Sequence, residues 1–175
     1  MDVSALLREA IRDIPDFPKE GILFRDITPV LKDPELFRVV IAAFVESAKA
    51  VGARKIAGID ARGFLFGATV AYEMGVGFVP LRKRGKLPFS THGQSYDLEY
   101  GSAEIEVHTD AFEPGEPVAL IDDLLATGGT AGAAIQLIRR AGGEPVIAQF
   151  LIELSGLGGR APLGDVPVQA LITYP

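Results

Sequence analysis

The sequence contains no cysteine and only two histidines, and each shortage excludes a class of site. Without cysteine there is no disulfide framework, no thiolate nucleophile and no zinc–thiolate centre. With His92 and His108 alone, and without an HExxH pattern, a metal centre built from several histidines is also excluded. Cysteine chemistry and multi-histidine metal chemistry therefore play no part in this chain.

Basic residues and long apolar runs are also scarce. The chain has 17 Lys and Arg against 23 Asp and Glu, a net charge of −6, which argues against binding along a nucleic-acid backbone. No apolar run approaches the roughly 18 residues that span a bilayer. The first residues lack the basic region and long apolar stretch of a secretory signal. We therefore expect a cytoplasmic protein with neither a nucleic-acid nor a membrane partner.

The length and the pattern of the chain favour a single α/β domain over residues 1–175. Helices are predicted near the amino terminus through Ile11, from Asp33 to Gly52, over 63–74 and over 130–140. Asp33-Pro34-Glu35 is a strong helix start, and the helix that follows carries a predicted buried stripe of Phe37, Ile41, Phe44, Ala48 and Val51. Strands are predicted at 55–59, 78–81, 103–108, 118–121, 146–151 and 168–172.

Apolar strands that alternate with helices predict a mainly parallel twisted sheet flanked by helices. Two segments do not fit this alternation. Residues 14–21 are predicted to be irregular because prolines and a glycine interrupt them. Residues 87–101 are polar and contain Pro88 and Gly93, and so long a segment is typical of a functional flap.

The most informative motif is VALIDDLLATGGT at residues 118–130, where a buried strand leads into two acids, two glycines and a helix. In an open α/β sheet the ligand lies at the carboxyl ends of the strands. The glycines let backbone N–H groups converge, and the helix start adds about half a positive charge, which suits a phosphate monoester. Asp122 and Asp123 suit sugar hydroxyls or a hydrated Mg²⁺. The plain alternative is a capped loop with a tight turn.

Other phosphate motifs are absent or misplaced. There is no GxxxxGK[ST], because Leu87 follows Gly85-Lys86. Gly156, Gly158 and Ala161 match GxGxxA, but the match follows the last helix–strand unit and precedes Pro162. We therefore interpret that match as accidental.

The 118–130 string resembles the phosphoribosyl-diphosphate (PRPP) loop of the type I phosphoribosyltransferase family. Further segments resemble its adenine branch: FPKEGILFRDIT at 17–28, ARGFLFG at 61–67, and RGKLP at 84–88 with YDLEYG at 96–101. These four ordered motifs extend over nearly the whole chain. The chain departs from the family pattern near its carboxyl end, where residues 156–164 are rich in glycine.

The resemblance implies a fold, a reaction and partners. The type I fold implies a small base-binding hood from about 1–30 and a flexible flap at about 82–101. The implied reaction joins adenine and PRPP to give AMP and diphosphate, with Mg²⁺ as cofactor, in a homodimer. The bond at the anomeric carbon breaks through an oxocarbenium-like state, so the protein must neutralise diphosphate, position adenine and exclude water.

The resemblance also implies a PRPP and AMP site. Asp122 and Asp123 would hold the ribose hydroxyls and favour the developing cation. The metal would be held indirectly through PRPP, with Asp122 and Asp123 as its candidate protein ligands. Arg62 would meet the diphosphate as a bidentate fork; the alternative is a surface arginine at a helix start, where a cation is mildly unfavourable. The remaining positions of this site, with the 5′-phosphate held from Ala126 onward, are Leu124, Leu125, Ala126, Thr127, Gly128, Gly129 and Thr130.

The other implied contacts depend more heavily on the resemblance. Lys86, with Arg82, Lys83 and Arg84, would add charge against the diphosphate, in this subunit or a neighbouring one; otherwise such a run is a solvated face. Leu23 and Phe24 would offer apolar surface to adenine, and Arg25 would serve the base; the alternative is a buried strand. Glu99 would assist proton movement at the purine; otherwise it is a surface glutamate.

Two other functions stay open on the sequence alone. A related enzyme acting on hypoxanthine, xanthine, orotate or uracil would share the PRPP loop, although the 17–28 segment and the Glu99-Tyr100 pair resemble the adenine branch. A non-catalytic regulator could keep the loop and lose turnover. Such regulators usually carry a DNA-binding segment or a basic surface, and neither is visible here.

Overall fold

The computed structural model describes residues 3–98 and 101–175. Its helices are α1 (Val3–Ala10), α2 (Thr28–Lys32), α3 (Pro34–Ala50), α4 (Arg62–Met74) and α5 (Gly129–Arg140). Its strands are β1 (Arg12–Pro15), β2 (Leu23–Asp26), β3 (Lys55–Ile59), β4 (Gly77–Lys83), β5 (Thr91–Asp97), β6 (Ser102–His108), β7 (Pro117–Leu125), β8 (Glu144–Leu154) and β9 (Val168–Tyr174). Two short 3₁₀ turns, Ser155–Leu157 and Ala161–Leu163, lie between β8 and β9.

The main sheet has seven strands in the order β5-β6-β4-β3-β7-β8-β9. From β4 to β9 the neighbouring strands are parallel, while β6 pairs antiparallel with both β4 and β5. The predicted α/β fold with a mainly parallel sheet is therefore confirmed. After β3 the chain crosses to β4 on one side, and β7 then lies on the other side of β3. The strand order thus reverses between β3 and β7, which makes this crevice the switch point of the sheet.

The sheet separates two apolar cores. Helix α5 packs on one face through its small and branched side chains, and helices α1 to α4 cover the other face. Strand β7 lies between the two cores because its side chains alternate: Val118 and Leu120 face α5, and Ala119 and Ile121 face the other helices. With both faces covered, β7 is the apolar strand that the sequence predicts.

Helix α3 begins where its cap residue predicts. The Asp33 side chain accepts hydrogen bonds from the backbone N–H groups of Glu35 (2.9 Å) and Leu36 (3.1 Å). Ile41, Phe44 and Ala48 are buried as predicted. Val51 is exposed, so its place in the buried stripe is wrong, because the helix ends at Ala50 and Val51 turns away from the core.

The main differences from the prediction lie in polar segments. Residues 12–15 and 23–26 pair as a two-stranded antiparallel sheet, so the 14–21 segment begins in a strand. The polar 87–101 segment contains β5, which pairs with β6 from Thr91 opposite His108 to Asp97 opposite Ser102. Neither segment has the apolar pattern that predicts a strand. Each forms a strand because it pairs with a neighbouring one. Within the described residues, no helix is both long enough and apolar enough to cross a bilayer.

Candidate active site

Two helices begin at the switch point of the sheet. Helix α4 begins at Arg62, three residues after β3 ends, and α5 begins at Gly129, four residues after β7 ends. Both β3 and β7 point their carboxyl ends to the same edge because they are parallel neighbours. Two helix amino termini, each with a partial positive charge, therefore lie at this edge and favour an anionic ligand between them.

The first hollow at this edge is a polar cavity of about 210 Å³. We call residues 126–130 the phosphate loop; they form one wall of the cavity. Gly128 has φ of 83°, a conformation suited to glycine, and precedes the first turn of α5, whose N–H groups have no partner within the helix. The cavity is lined by Arg62, Asp122, Asp123, Leu124, Leu125, Ala126, Thr127, Gly128, Gly129, Thr130 and Ala131.

The two acids lie on β7 itself, because the strand continues to Leu125 beyond its predicted end. Asp123 is 6% exposed and accepts a hydrogen bond from Arg62 Nε. The Asp123 N–H donates to Asp122 Oδ1 at 2.9 Å. Arg62, at the start of α4, is thereby joined to the end of β7 across the crevice.

The electrostatics of this group follow from its burial. Burial raises the pKa of Asp122 well above its ordinary 3.8, and the neighbouring Asp123 carboxylate raises it further. Partial burial acts to lower the pKa of Arg62, but the Asp123 charge and hydrogen bond outweigh it, so the pKa of Arg62 is raised. The site therefore favours a permanent arginine cation beside an acid pair that resists carrying two full charges.

A second, apolar cavity of about 130 Å³ adjoins the first. It shares Arg62, Asp123 and Leu124 with the polar cavity. The Arg62 guanidinium carbon lies 5.9 Å from the centre of the Phe24 ring. The remaining lining residues are Ile22, Leu23, Phe24, Arg25 and Leu154. A polar cavity and an apolar cavity thus meet at Arg62, Asp123 and Leu124.

Comparison with known proteins assigns this architecture. The phosphoribosyl transferase domain model matches residues 29–161. The adenine phosphoribosyltransferase of Parvibaculum lavamentivorans is 55% identical over 165 residues, which are 94% of this chain and 94% of that protein. The crystal structure of adenine phosphoribosyltransferase from Rhodothermus marinus is 51% identical and has a TM-score of 0.92, with 98% of each chain covered. The chain belongs to the adenine phosphoribosyltransferase family.

A third relative, the adenine phosphoribosyltransferase of Saccharomyces cerevisiae, has 41% identity and a TM-score of 0.91 over 97% of this chain and 98% of that chain. That structure is a complex with adenine and an imino-altritol 1,6-bisphosphate. The resemblance inferred from the four motifs is therefore confirmed, as is the type I phosphoribosyltransferase fold. The chain is a member of a family of enzymes, which favours a catalyst over a regulator.

The predicted adenine residues line the apolar cavity, although Arg25 is engaged elsewhere. Leu23 and Phe24 lie on β2, where Leu23 is exposed and Phe24 is partly buried, so β2 is not the buried strand of the alternative interpretation. Arg25 forms an ion pair with Asp13 and lies 3.9 Å from the centre of the Tyr174 ring. Arg25 thus joins the amino-terminal sheet to the last strand of the main sheet, beside the cavity.

Apart from Arg62, the predicted diphosphate residues lie along the end of β4 and the turn after it, and none of these others lines either cavity. Arg82 forms an ion pair with Asp60 at 3.0 Å, and Arg84 pairs with Glu104 at 3.4 Å. Lys83 and Lys86 are exposed on the same turn. Their role toward diphosphate stays a prediction.

Glu99, the predicted catalytic residue, lies outside the described residues, as does Tyr100. The strand that leads to it reaches the site: a Cβ on Gly129 would lie 3.6 Å from the Asp97 carbonyl oxygen and 3.6 Å from the Tyr96 ring. The carboxyl end of β5 therefore lies against the phosphate loop. Arg140 holds the same strand farther along α5, donating to the carbonyl oxygen of Gly93 at 2.5 Å and to Gln94 Oε1 at 3.2 Å.

Three features of the site could not be predicted from the sequence. Leu154, at the end of β8, lines the apolar cavity. Glu153, its neighbour, is buried and pairs with Arg160, and Gly159 packs on the phosphate loop. The only sequence feature that pointed to this segment is the glycine-rich run at 156–164. Its Gly159 allows a close backbone contact with the phosphate loop, and the run is not a nucleotide-binding motif.

The acid pair is compatible with a magnesium ion that arrives with substrate. Among residues 3–98 and 101–175 there is no group of three or more His, Asp or Glu that could hold a metal. Asp122 and Asp123 supply two adjacent carboxylates at the polar cavity. Mg²⁺ commonly uses one or two carboxylates together with waters and substrate phosphates, so this donor set is compatible with Mg²⁺ delivered with PRPP.

Proposed function

We propose that this chain transfers the phosphoribosyl group of PRPP to adenine, with the roles assigned below, and releases AMP and diphosphate. One observation carries the assignment: a polar cavity at a helix amino terminus and an apolar cavity share Arg62, Asp123 and Leu124. A nucleotide has the same layout, with a phosphorylated ribose joined to a flat base. The yeast relative, whose structure holds adenine and a sugar-like bisphosphate together, supports this layout.

The reaction breaks one bond and forms another at the anomeric carbon. The bond to the diphosphate oxygen breaks with its electron pair leaving on diphosphate, the purine N9 bonds to the same carbon, and the N9 proton departs. Positive charge develops on the ribose before the new bond is complete. The acid pair on β7 lines the cavity that would hold the ribose, and carboxylates fixed in advance would stabilise this charge without reorganisation.

Each end of PRPP would meet a different donor set. The phosphate loop would take the 5′-phosphate through backbone N–H groups and the hydroxyls of Thr127 and Thr130, at the positive end of α5. Arg62 would take the diphosphate: Asp123 uses its Nε, and among the described residues no hydrogen bond engages its Nη groups. A guanidinium already oriented by an ion pair binds a diphosphate at a lower entropic cost. When bound, Mg²⁺ would neutralise part of the diphosphate charge.

The base would lie in the apolar cavity. Phe24 is held edge-on against Phe17, with ring centres 5.1 Å apart, so its ring has a defined orientation. Leu23 and Leu154 complete the apolar surface. Arg25 would act on the base side by holding β2 in place through Asp13 and Tyr174. Glu99 would accept the N9 proton when the flap places it beside the purine.

A homodimer would complete the diphosphate end. Helix α4 carries exposed apolar side chains: Tyr72 is 83% exposed and Leu65 is 47% exposed. Association of two copies through this helix would cover them. Lys86 and its basic neighbours, which line neither cavity of their own chain, would then supply charge to a site in the dimer. A cytoplasmic location stays the prediction made from the sequence.

The decisive experiment is a competition assay. Purified protein, PRPP and Mg²⁺ are mixed with adenine, hypoxanthine, xanthine, orotate and uracil together, and the nucleotides are quantified by chromatography. We expect AMP to dominate and its formation to stop when EDTA removes the metal. Preferred turnover of another base would overturn the base assignment. Binding of AMP without any turnover would support the regulator instead.

A further inference from the structure

The back of the phosphate loop is covered by the segment that follows β8. A Cβ on Gly159 would overlap the Ala126 carbonyl oxygen, and a Cβ on Gly128 would overlap the Gly159 carbonyl oxygen. A Cβ on Gly132 would lie 2.9 Å from the Pro162 carbonyl oxygen. Residues 158–163 therefore press directly, backbone to backbone, on both the loop and the first turn of α5.

One ion pair ties this segment to the sheet. Arg160, next to Gly159, donates from Nε to Glu153 Oε1 at 2.7 Å and from Nη2 to Glu153 Oε2 at 2.6 Å. This is a bidentate arrangement, the most directional pairing available to these side chains. Glu153 is 5% exposed, and on β8 it lies opposite Leu125, the last residue of β7 before the loop.

The Glu153–Arg160 ion pair connects the end of β7 to the segment behind the phosphate loop. Its carboxylate belongs to a strand that is hydrogen-bonded in register with Leu125, and its guanidinium fixes the residue beside Gly159. The Arg160 carbonyl oxygen also accepts from the Leu163 N–H at 3.1 Å, which closes the 3₁₀ turn on α5. Arg160 lines neither cavity, so it acts on the ligand only through the loop.

We propose that Glu153 and Arg160 are positioning residues that hold residues 158–163 against the phosphate loop and thereby set its affinity for the 5′-phosphate. This inference rests on the proposed function of the loop. A loop of small residues loses conformational entropy when it closes on a phosphate. A rigid backing removes that cost before the ligand arrives, which favours binding. The pair is neutral as a whole and does not compete with the ligand charge.

The test separates the phosphate from the rest of the ligand. The dissociation constants of AMP and of adenosine are measured by calorimetry for the wild-type protein and for Arg160→Met and Arg160→Lys. The ratio of the adenosine constant to the AMP constant reports the contribution of the phosphate. We expect Arg160→Met to lower this ratio by about 10–100-fold and to leave adenosine affinity unchanged, since charge-assisted hydrogen bonds are lost. Arg160→Lys should recover part of the ratio.

The matched control is Arg139→Met, which breaks an exposed ion pair between α5 and Asp165, 2.8 Å long, beyond the same segment. It should leave the ratio unchanged. An unchanged ratio in folded Arg160→Met would overturn the proposal, as would equal losses for AMP and adenosine. If Arg160→Met does not fold, Arg160→Lys replaces it, and a ratio equal to that of the wild type then overturns the proposal. A wild-type ratio near one would instead refute phosphate binding by the loop.

Discussion

Asp122 and Asp123 are adjacent in sequence but experience different surroundings. Asp123 faces the Arg62 guanidinium, whereas burial and the Asp123 charge raise the pKa of Asp122. Two carboxylates this close resist double ionisation, and the developing ribose cation relieves that repulsion. In the proposed reaction, the acid pair would therefore be better matched to the transition state than to the free enzyme.

The first prediction concerns this acid pair. Asp122→Asn combined with Asp123→Asn preserves the shape of the two side chains and removes the negative charge of the acid pair. We expect PRPP turnover, expressed as kcat/KM, to fall by about 100-fold or more, because the hydrogen bonds that the ribose hydroxyls would donate to charged carboxylates are lost. Circular dichroism should show an intact fold. Unchanged kinetics in the folded double variant would contradict the assignment, and Asp165→Asn is the exposed control.

A second prediction concerns Glu99. Glu99→Gln removes the proposed proton acceptor and keeps the size of the side chain. Turnover should fall about 100-fold with little change in KM for adenine or PRPP, as expected of a general base. Steady-state kinetics separate the two parameters. A variant impaired in KM alone would leave Glu99 a positioning role.

A third prediction follows from the Glu153–Arg160 pair. The Arg160 hydrogen bonds lower the pKa of Glu153 below its ordinary 4.5, although burial acts in the opposite direction. A lowered folded-state pKa contributes stability that is present above pH 4.5 and lost as the pH falls through the folded value. At neutral pH the free energy of unfolding of the wild-type protein should therefore exceed that of Glu153→Gln. This difference should shrink as the pH falls below 4.5. Urea denaturation of both proteins from neutral pH to below pH 4.5 measures this difference. A difference that stays constant with pH would contradict the prediction.

At the scale of elements, the strand β5 and the helix α5 act together at the site. Arg140 fastens the middle of β5 to α5, and the carboxyl end of β5 lies on Gly129. Because this strand leads to Glu99, the proposed catalytic residue, we expect its docking on α5 to help exclude water from the site.

We therefore predict that Arg140→Met loosens β5. The KM for PRPP should rise about 3–10-fold, since hydrogen bonds to a charged donor are lost. Hydrolysis of PRPP should also rise relative to transfer to adenine, because water enters more easily. Chromatography of ribose 5-phosphate and AMP measures the ratio. Arg139→Met, one residue earlier and pointing to Asp165, is the control; equal ratios in the two variants would refute the role of Arg140.

The elements that were predictable have a local cause. β3 matches its predicted bounds because an apolar run is enclosed by Lys55 and Asp60, and α3 begins at its cap residue. The phosphate loop was predictable because its residues are contiguous. β5 was not, since its polar residues become a strand only through pairing with β6. The Glu153–Arg160 pair was not, since its effect on residues 126–130 exists only after folding.

At the scale of the whole molecule, the sheet order explains why the site forms. The strand order reverses between β3 and β7, which leaves a crevice at this edge of the sheet. The amino termini of α4, which follows β3, and of α5, which follows β7, both lie at this crevice. The mainly parallel fold could be predicted from the alternation of apolar strands and helices along the chain. The strand order could not be predicted, because no local residue pattern specifies which strands pair in the sheet.

The last prediction concerns assembly. Light scattering should give twice the chain mass of 18.6 kDa, and Tyr72→Glu should shift the protein toward the single-chain mass, because a buried unpaired charge opposes association. Activity per chain should fall with dissociation if Lys86 serves a neighbouring site. A wild-type mass of one chain with full activity would refute the homodimer.

The contact between Gly128 and Gly159 has an evolutionary consequence. A methyl group on Gly128 would clash with the backbone at Gly159, and one on Gly159 would clash with the backbone of the phosphate loop. Each position therefore accepts only glycine while the opposing backbone stays in place. A lineage that replaced one of them would first have to displace the opposing peptide. Substitution is thereby constrained at two sites 31 positions apart in the chain, because the shape of each backbone limits the residue that the other position accepts.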